Sequence, residues 1–278
     1  NDTKPCPDPG MAGASRSLYM DGNATIIAAN KLLAAMRKED GTLRTYDEMK
    51  AEGIETKYLG RYETNTTPGL CRLDPNTGIG DPTPAFTYCL NLAEVEVDTK
   101  TGKTTVLKFT CVDFVGRIGN IDAVNGQAYS GIMHGIGFAL KEDYADVKKH
   151  ANMFGAGTSY IKDVPDDINL IHIDGAISDG PFGSSGASEA FQASGHCAVL
   201  NGIYNACGVR IHEIPALPEK VKAGLDAIAK GEKPYEPKKY FLGSDMYEEL
   251  ENIKENPVQV GTQSFYVSLD DPTAERPF

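Results

Sequence analysis

The chain has 278 residues, 41% hydrophobic and 24% charged, enough for one sizeable core or two modest ones. A formal net charge of -12, with acidic residues spread along the chain and no basic run beyond Lys148-Lys149-His150, argues against a nucleic-acid partner. No apolar stretch nears the roughly 20 residues that cross a bilayer, so no membrane partner is expected.

The sequence starts Asn1-Asp2-Thr3 without an initiator Met or an apolar signal region, which fits processing, cleavage or a piece of a larger chain. Residues 2–16, rich in Pro, Gly, Ala and Ser, read as an irregular loop. A helix is expected after Asp21-Gly22-Asn23, because Ile26, Ile27, Ala29, Leu32, Leu33 and Met36 recur at helical spacing. Thr45 and Glu48 have capping-box spacing for a second, short helix. Residues 53–84 are polar and turn-rich and read as a long surface excursion. A hairpin follows, with strands over Phe86–Val97 and Thr104–Val115 joined by the turn at Thr99–Lys103. Val124–Leu140 reads as an apolar helix whose glycines suit close approach of a backbone or ligand. Then come a strand over Ile168–Ile173, a loop over Asp179–Ser188, a helix over Glu189–Cys207, a strand over Val209–Ile214 and a helix over Pro218–Lys230. From Gly231 to Phe278 the prolines at 234, 237, 257, 272 and 277 and the weak periodicity suggest an extended arm. This order of elements indicates an α+β fold, with one domain over 1–230 and the arm over 231–278.

Six cysteines without a C-x-x-C pair exclude a local zinc or iron–sulfur motif. Several, including Cys89 and Cys197, read as small buried hydrophobes, and reduced cysteines fit a cytoplasmic protein. No H-x-x-x-H pair occurs, and no side chain is predicted to ligate a metal.

Three small-residue segments could carry chemistry. In Asp179-Gly-Pro-Phe-Gly-Ser-Ser-Gly-Ala-Ser-Glu189, the backbone is free to approach a ligand, and the segment feeds a helix that presents N–H groups at 185–189. Spacing alone leaves Glu189 either a carboxylate that favours the helix dipole or a base beside a ligand. Pro9-Gly-Met-Ala-Gly-Ala-Ser-Arg16 could cradle a phosphate, yet it lacks the P-loop ending and reads equally as a surface loop. Gln127 could offer its amide to a heterocycle or stand exposed at a helix start. His134, among glycines, reads as a packed histidine.

In this order and spacing, the segments resemble the C-terminal half of the molybdenum subunit of the xanthine oxidase (molybdenum hydroxylase) family. The likeness runs from about Asp2 to Lys230 and is strongest to bacterial aldehyde oxidoreductases. It rests on Gly10–Arg16 with Asp21-Gly-Asn-Ala24, on Ala93–Asp98 with Thr101-Gly102, and on Asn125–Gly131 with Gly135-Ile-Gly137. It ends on Asp179–Gly183, Glu189 and Gly208–Ile211 before Pro215. The resemblance implies bound molybdopterin carrying molybdenum, as the cytosine dinucleotide. Gly13, Ala14 and Ser15 match one cofactor loop, Gln127 a cofactor-contacting glutamine, and Ser185, Gly186, Ala187 and Ser188 the loop at the molybdenum end. Glu189 matches the family's glutamate, the general base that takes a proton from a molybdenum-bound hydroxyl. Ser188 stands where the family usually has Gly, and Ala190-Phe191 where it has a Pro-containing segment, differences that bear on substrate choice.

The implied reaction is hydroxylation, by water, of an aldehyde to an acid or of a nitrogen heterocycle. The alternatives are a reductive member acting on an aromatic thioester and a non-catalytic structural subunit. The family's earlier half has no counterpart here. The resemblance therefore implies partners: the rest of the molybdenum subunit, together with [2Fe–2S] and flavin (FAD) domains or chains.

Overall fold

Alternating side chains at Cys89, Ala93, Val95 and Val97 on one strand, and Phe109 and Cys111 on the next, with Val106 brought to the same side by a bulge, build the inward face of a three-stranded sheet. The computed structural model describes residues 12–63, 85–146, 148–177 and 179–234. In it β1 (Tyr88–Val97) pairs antiparallel with β2 (Thr104–Phe114), which pairs parallel with β3 (Asp167–His172) in the order β1-β2-β3. The predicted turn forms as read: Asp98 accepts the Gly102 N–H at 2.7 Å, and its carboxylate takes the Lys100 N–H and the Thr101 hydroxyl.

The helices are α1 (Ser17–Met36), α2 (Tyr46–Ala51), α3 (Ile121–Leu140), α4 (Ala190–Ala193), α5 (Gly195–Cys207) and α6 (Pro218–Ala229), of which α3, α4 and α5 pack on the inner face of the sheet. The core joins Phe109 and Cys111 of the sheet to Ile132 and Ile136 of α3, Phe191 of α4, and Val199 and Ile203 of α5, all 2% exposed or less. Each such large apolar side chain contributes about 1.5–3 kcal/mol by leaving water. The outer sheet face stays open, with Tyr88, Leu90, Leu92 and Ile171 exposed.

Thr45 and Glu48 do form a capping box at the start of α2. Four expectations need correction. First, α1 begins at Ser17, before the supposed start signal. Asn23 instead donates to the Asp179 carbonyl at 2.9 Å, so those polar residues dock the helix rather than start it. Second, α3 begins at Ile121, because Asn120 caps it by accepting the Ala123 N–H. Third, the helix read over Glu189–Cys207 breaks at Ser194, whose hydroxyl accepts a hydrogen bond from Asn91 of β1 at 2.9 Å. Fourth, Val209–Ile214 forms no strand; Val209 packs its side chain against Gly224 of α6 instead of joining a sheet edge.

Of the cysteines expected to be buried, Cys89 is only half-buried and Cys197 is exposed on α5, and His134 is exposed on α3 rather than packed. Residues 54–63 carry no regular structure, while 64–84, 1–11 and the arm beyond Pro234 lie outside the described residues. Among the described residues no helix is long and apolar enough to cross a membrane.

Two α3 glycines explain how the second helical layer comes so close. A Cβ on Gly131 would meet backbone and Cβ of Phe191 at 2.5–2.8 Å, and one on Gly135 would meet Gly195 at 2.9 Å. The backbones of α3 and of the α4–α5 pair therefore touch, which places Glu189, just before α4, beside α3.

Candidate active site

The site is made where two loops meet. Ala14 and Ser15 both take left-handed φ values, +52° and +56°, an arrangement that costs non-glycine residues about 1 kcal/mol or more each. The resulting turn is closed by the Arg16 N–H donating to the Gly13 carbonyl at 3.2 Å. It points the Ser15 hydroxyl at the second loop.

That second loop is anchored to the end of β2. The Ser185 N–H donates to the Val115 carbonyl at 3.1 Å, the Arg117 N–H donates to the Gly183 carbonyl at 2.8 Å, and the Ser184 hydroxyl donates to the Arg117 carbonyl at 2.6 Å. Ser184 and Ser185 are buried by these bonds, Gly186 and Ala187 are half-buried, and Ser188 and Glu189 are exposed. Gly186 lies so close to Ser15 that a Cβ would stand 2.6 Å from the Ser15 carbonyl carbon.

The contact is chemical as well as steric. Ser15 Oγ accepts the Glu189 N–H at 3.0 Å and donates to Glu189 Oε2 at 3.2 Å. Ser188 Oγ lies 3.3 Å from the same hydroxyl. One serine thus ties down both ends of the candidate base. Its single proton goes to the carboxylate, so it accepts from both the amide and Ser188. Oε1 of Glu189 has no partner among the described residues.

The predicted residues are not all equivalent. Ser15, Gly186, Ser188 and Glu189 are brought together across a sequence separation of more than 170 residues. Gly13 and Ala14 shape the turn, and Ser185 fixes the second loop rather than facing outward. Gln127 is exposed on α3, four residues before Gly131 and so on the same helical face that meets Phe191, but no hydrogen bond joins it to either loop. The helix following Glu189 is a single turn, so the expected helix-dipole anion site at 185–189 is not formed.

What the loops do offer is donors. Among the described residues the N–H groups of Gly186, Ala187 and Ser188 have no hydrogen-bond partner, and the Ser188 hydroxyl is exposed on the same loop. Such a set fits an oxygen- and nitrogen-rich cofactor bearing phosphate. Among the described residues no cluster of three or more His, Cys, Asp and Glu is placed to hold a metal. A cavity of about 610 Å3 lies elsewhere, between Lys103, Lys141, Asp163 and Pro218, and none of the predicted site residues lines it.

Sequence reasoning missed the groups behind the loops: Asn91, which pins Ser194, and Asp113 with His172 and Asn125. Asp113 had a signal. It occupies an inward position in the alternation of β2 after Phe109 and Cys111, where an apolar residue would be expected.

Residues 1–165 match the family profile of the molybdopterin cofactor-binding domain. The chain is 42% identical over 226 residues, 81% of its length, to an aldehyde oxidoreductase of Megalodesulfovibrio gigas. Its structure superposes on 78% of its length with the crystal structure of the aldehyde oxidoreductase of Desulfovibrio desulfuricans, at a TM-score of 0.73 and 44% identity. Against the aldehyde oxidoreductase of Desulfovibrio gigas the TM-score is 0.75 at 43% identity, again over 78% of this chain. The chain spans about a quarter of the length of these relatives: 25%, 23% and 24% in turn. The α+β fold described above is thus that of the molybdopterin-binding domain in these structures.

Proposed function

The chain belongs to the molybdenum hydroxylase family, and from that premise we propose that it supplies the C-terminal part of the active site of a molybdenum-dependent aldehyde oxidoreductase, with Glu189 as general base. The overall reaction takes an aldehyde and water to a carboxylic acid, two electrons and two protons. The aldehyde is preferred to a nitrogen heterocycle because relatives above 40% identity are named aldehyde oxidoreductases.

The observation that carries the reading is the double hydrogen bond from Ser15 to the amide and carboxylate of Glu189. It fixes the base on a backbone that also presents three free N–H groups. Gly13, Ala14 and Ser15, then Ser185, Gly186, Ala187 and Ser188, and Gln127 are the proposed contacts for molybdopterin, taken as its cytosine dinucleotide. When bound, that cofactor would supply a two-electron acceptor and the Lewis acidity that activates water. The protein's part is positioning and proton transfer. Ser15 occupies Oε2, which leaves Oε1 of Glu189 to accept the proton as the new C–O bond forms. The N–H groups at 186–188 orient the cofactor from one side.

Because this chain spans only a quarter of its relatives, completion of the site falls to the rest of the molybdenum subunit. The electrons leave through [2Fe–2S] and flavin domains or chains. A cytoplasmic setting suits the free cysteines among the described residues.

The test is Glu189→Gln in the assembled enzyme, with molybdenum and pterin content measured beside aldehyde turnover. The expected result is full cofactor content with turnover lower by about 10²–10⁴-fold, the range for a lost general base. Turnover near wild type would remove Glu189 from the chemistry. A purified complex that contains neither molybdenum nor tungsten would sink the whole reading.

A further inference from the structure

Behind the two loops lies a charged group that the chemistry above does not use. The Asp113 side chain is fully buried, and its Oδ1 has no partner among the described residues. Its Oδ2 stands 2.7 Å from Nδ1 of His172, its in-register neighbour on β3. The other ring nitrogen, Nε2, stands 2.8 Å from Oδ1 of Asn125, in the second turn of α3. An amide oxygen can only accept, so Nε2 carries a proton and donates to it. Burial pushes the Asp113 carboxyl above the ordinary carboxylate range while the His172 contact pulls it back. That partner makes a buried carboxylate tolerable there.

The position of this chain of contacts is informative. Asp113 lies two residues before Val115, whose carbonyl anchors Ser185, and Asn125 lies two residues before Gln127. A buried pair needed only to join two strands has no reason to extend to a helix across the sheet face. We propose that Asp113, His172 and Asn125 form a positioning relay that holds the start of α3, and with it Gln127, at a fixed height over the 185–189 loop, so that both grip one cofactor. This rests on the reading of Gln127 as a cofactor contact. None of the three residues touches the reacting atoms.

The experiment compares Asn125→Ala, Asn125→Asp, His172→Ala and Gln127→Ala in the assembled enzyme. It follows cofactor loss on dialysis by molybdenum and pterin analysis, and amide exchange of residues 121–127. Asn125 is half-buried near a helix start, so its variants should fold even if His172→Ala does not. Expected are at least tenfold faster exchange over 121–127 and at least tenfold faster cofactor loss in Asn125→Ala. Asn125→Asp, which keeps the acceptor oxygen, should restore both to within about twofold. Unchanged exchange in Asn125→Ala would overturn the relay. Faster exchange with normal retention, while Gln127→Ala loses cofactor, would also overturn it, by making the contacts merely structural. Normal retention in Gln127→Ala would instead bring down the reading of Gln127, and this inference with it.

Discussion

Gly186→Ala tests whether the junction of the two loops is what arms Glu189. The backbone accepts alanine, since φ at this position lies outside the left-handed region. The obstacle is the neighbour. The new Cβ would stand 2.6 Å from the Ser15 carbonyl carbon, and nearer to its oxygen, where ordinary contact begins at 3.4 Å. Both opposing groups are backbone, so no side chain can swing away, and the loops must part by roughly 1 Å. The Ser15 hydrogen bonds to Glu189, now 3.0 and 3.2 Å, would then exceed hydrogen-bond reach. Losing two such bonds removes on the order of 1 kcal/mol each, and a displacement of this size at a reacting group can cost about 100-fold in rate. Turnover of the assembled enzyme should therefore fall by roughly 10- to 100-fold. Cofactor content and melting temperature, measured on the same samples, separate this from unfolding. Wild-type turnover in a folded, fully loaded Gly186→Ala enzyme would refute the idea that loop contact sets the base.

Ser15→Ala removes the same two bonds without moving the loops; only the bond to the carboxylate bears directly on proton transfer, so turnover should drop less, by roughly fivefold for about 1 kcal/mol. A loss of about 100-fold would mean that the hydroxyl itself meets the cofactor. Far from the site, hydrogen bonds from Lys38 and from the Thr45 N–H hold the Glu48 carboxyl at about 2, below its ordinary 4.5. Its folded-state pKa is depressed, so its contribution to stability is complete above pH 4.5 and disappears as pH falls towards 2. Glu48→Gln should flatten that part of the urea-midpoint profile and leave the profile above pH 5 unchanged in slope.

Local signals were readable where local physics decides the outcome. The Thr45–Glu48 box, the Asp98 turn and the period-2 alternation of β1 all act within a few residues, and the structure repeats them. The failures share one cause. Asn23 resembled a helix start and Ser194 lay unnoticed inside a helix, because the partners that define them, Asp179 and Asn91, are 156 and 103 residues away. Glu189 was found through the order of three loops rather than through its own neighbourhood. The bond that makes it distinctive comes from Ser15, 174 residues earlier. Asp113 was legible in principle as a charge at a core position, but its meaning needed His172 and Asn125 beside it.

The glycines of α3 were read together as places of close approach, and the structure divides them. Gly131 and Gly135 are occupied by the backbone of the α4–α5 pair, so their role is packing. Gly126 is different: it is exposed, and a Cβ there would meet nothing within 4 Å. A glycine inside a helix costs about 1 kcal/mol relative to alanine, and at Gly126 no protein group in the described chain repays it. If Gln127 contacts the cofactor as proposed, Gly126 beside it would leave room for the same ligand. Gly126→Ala should then raise the denaturation free energy of the cofactor-free protein by about 0.5–1 kcal/mol, while the assembled enzyme loses cofactor at least tenfold faster. A stability gain with unchanged cofactor retention would leave Gly126 without a ligand, and would move the cofactor away from this face of α3.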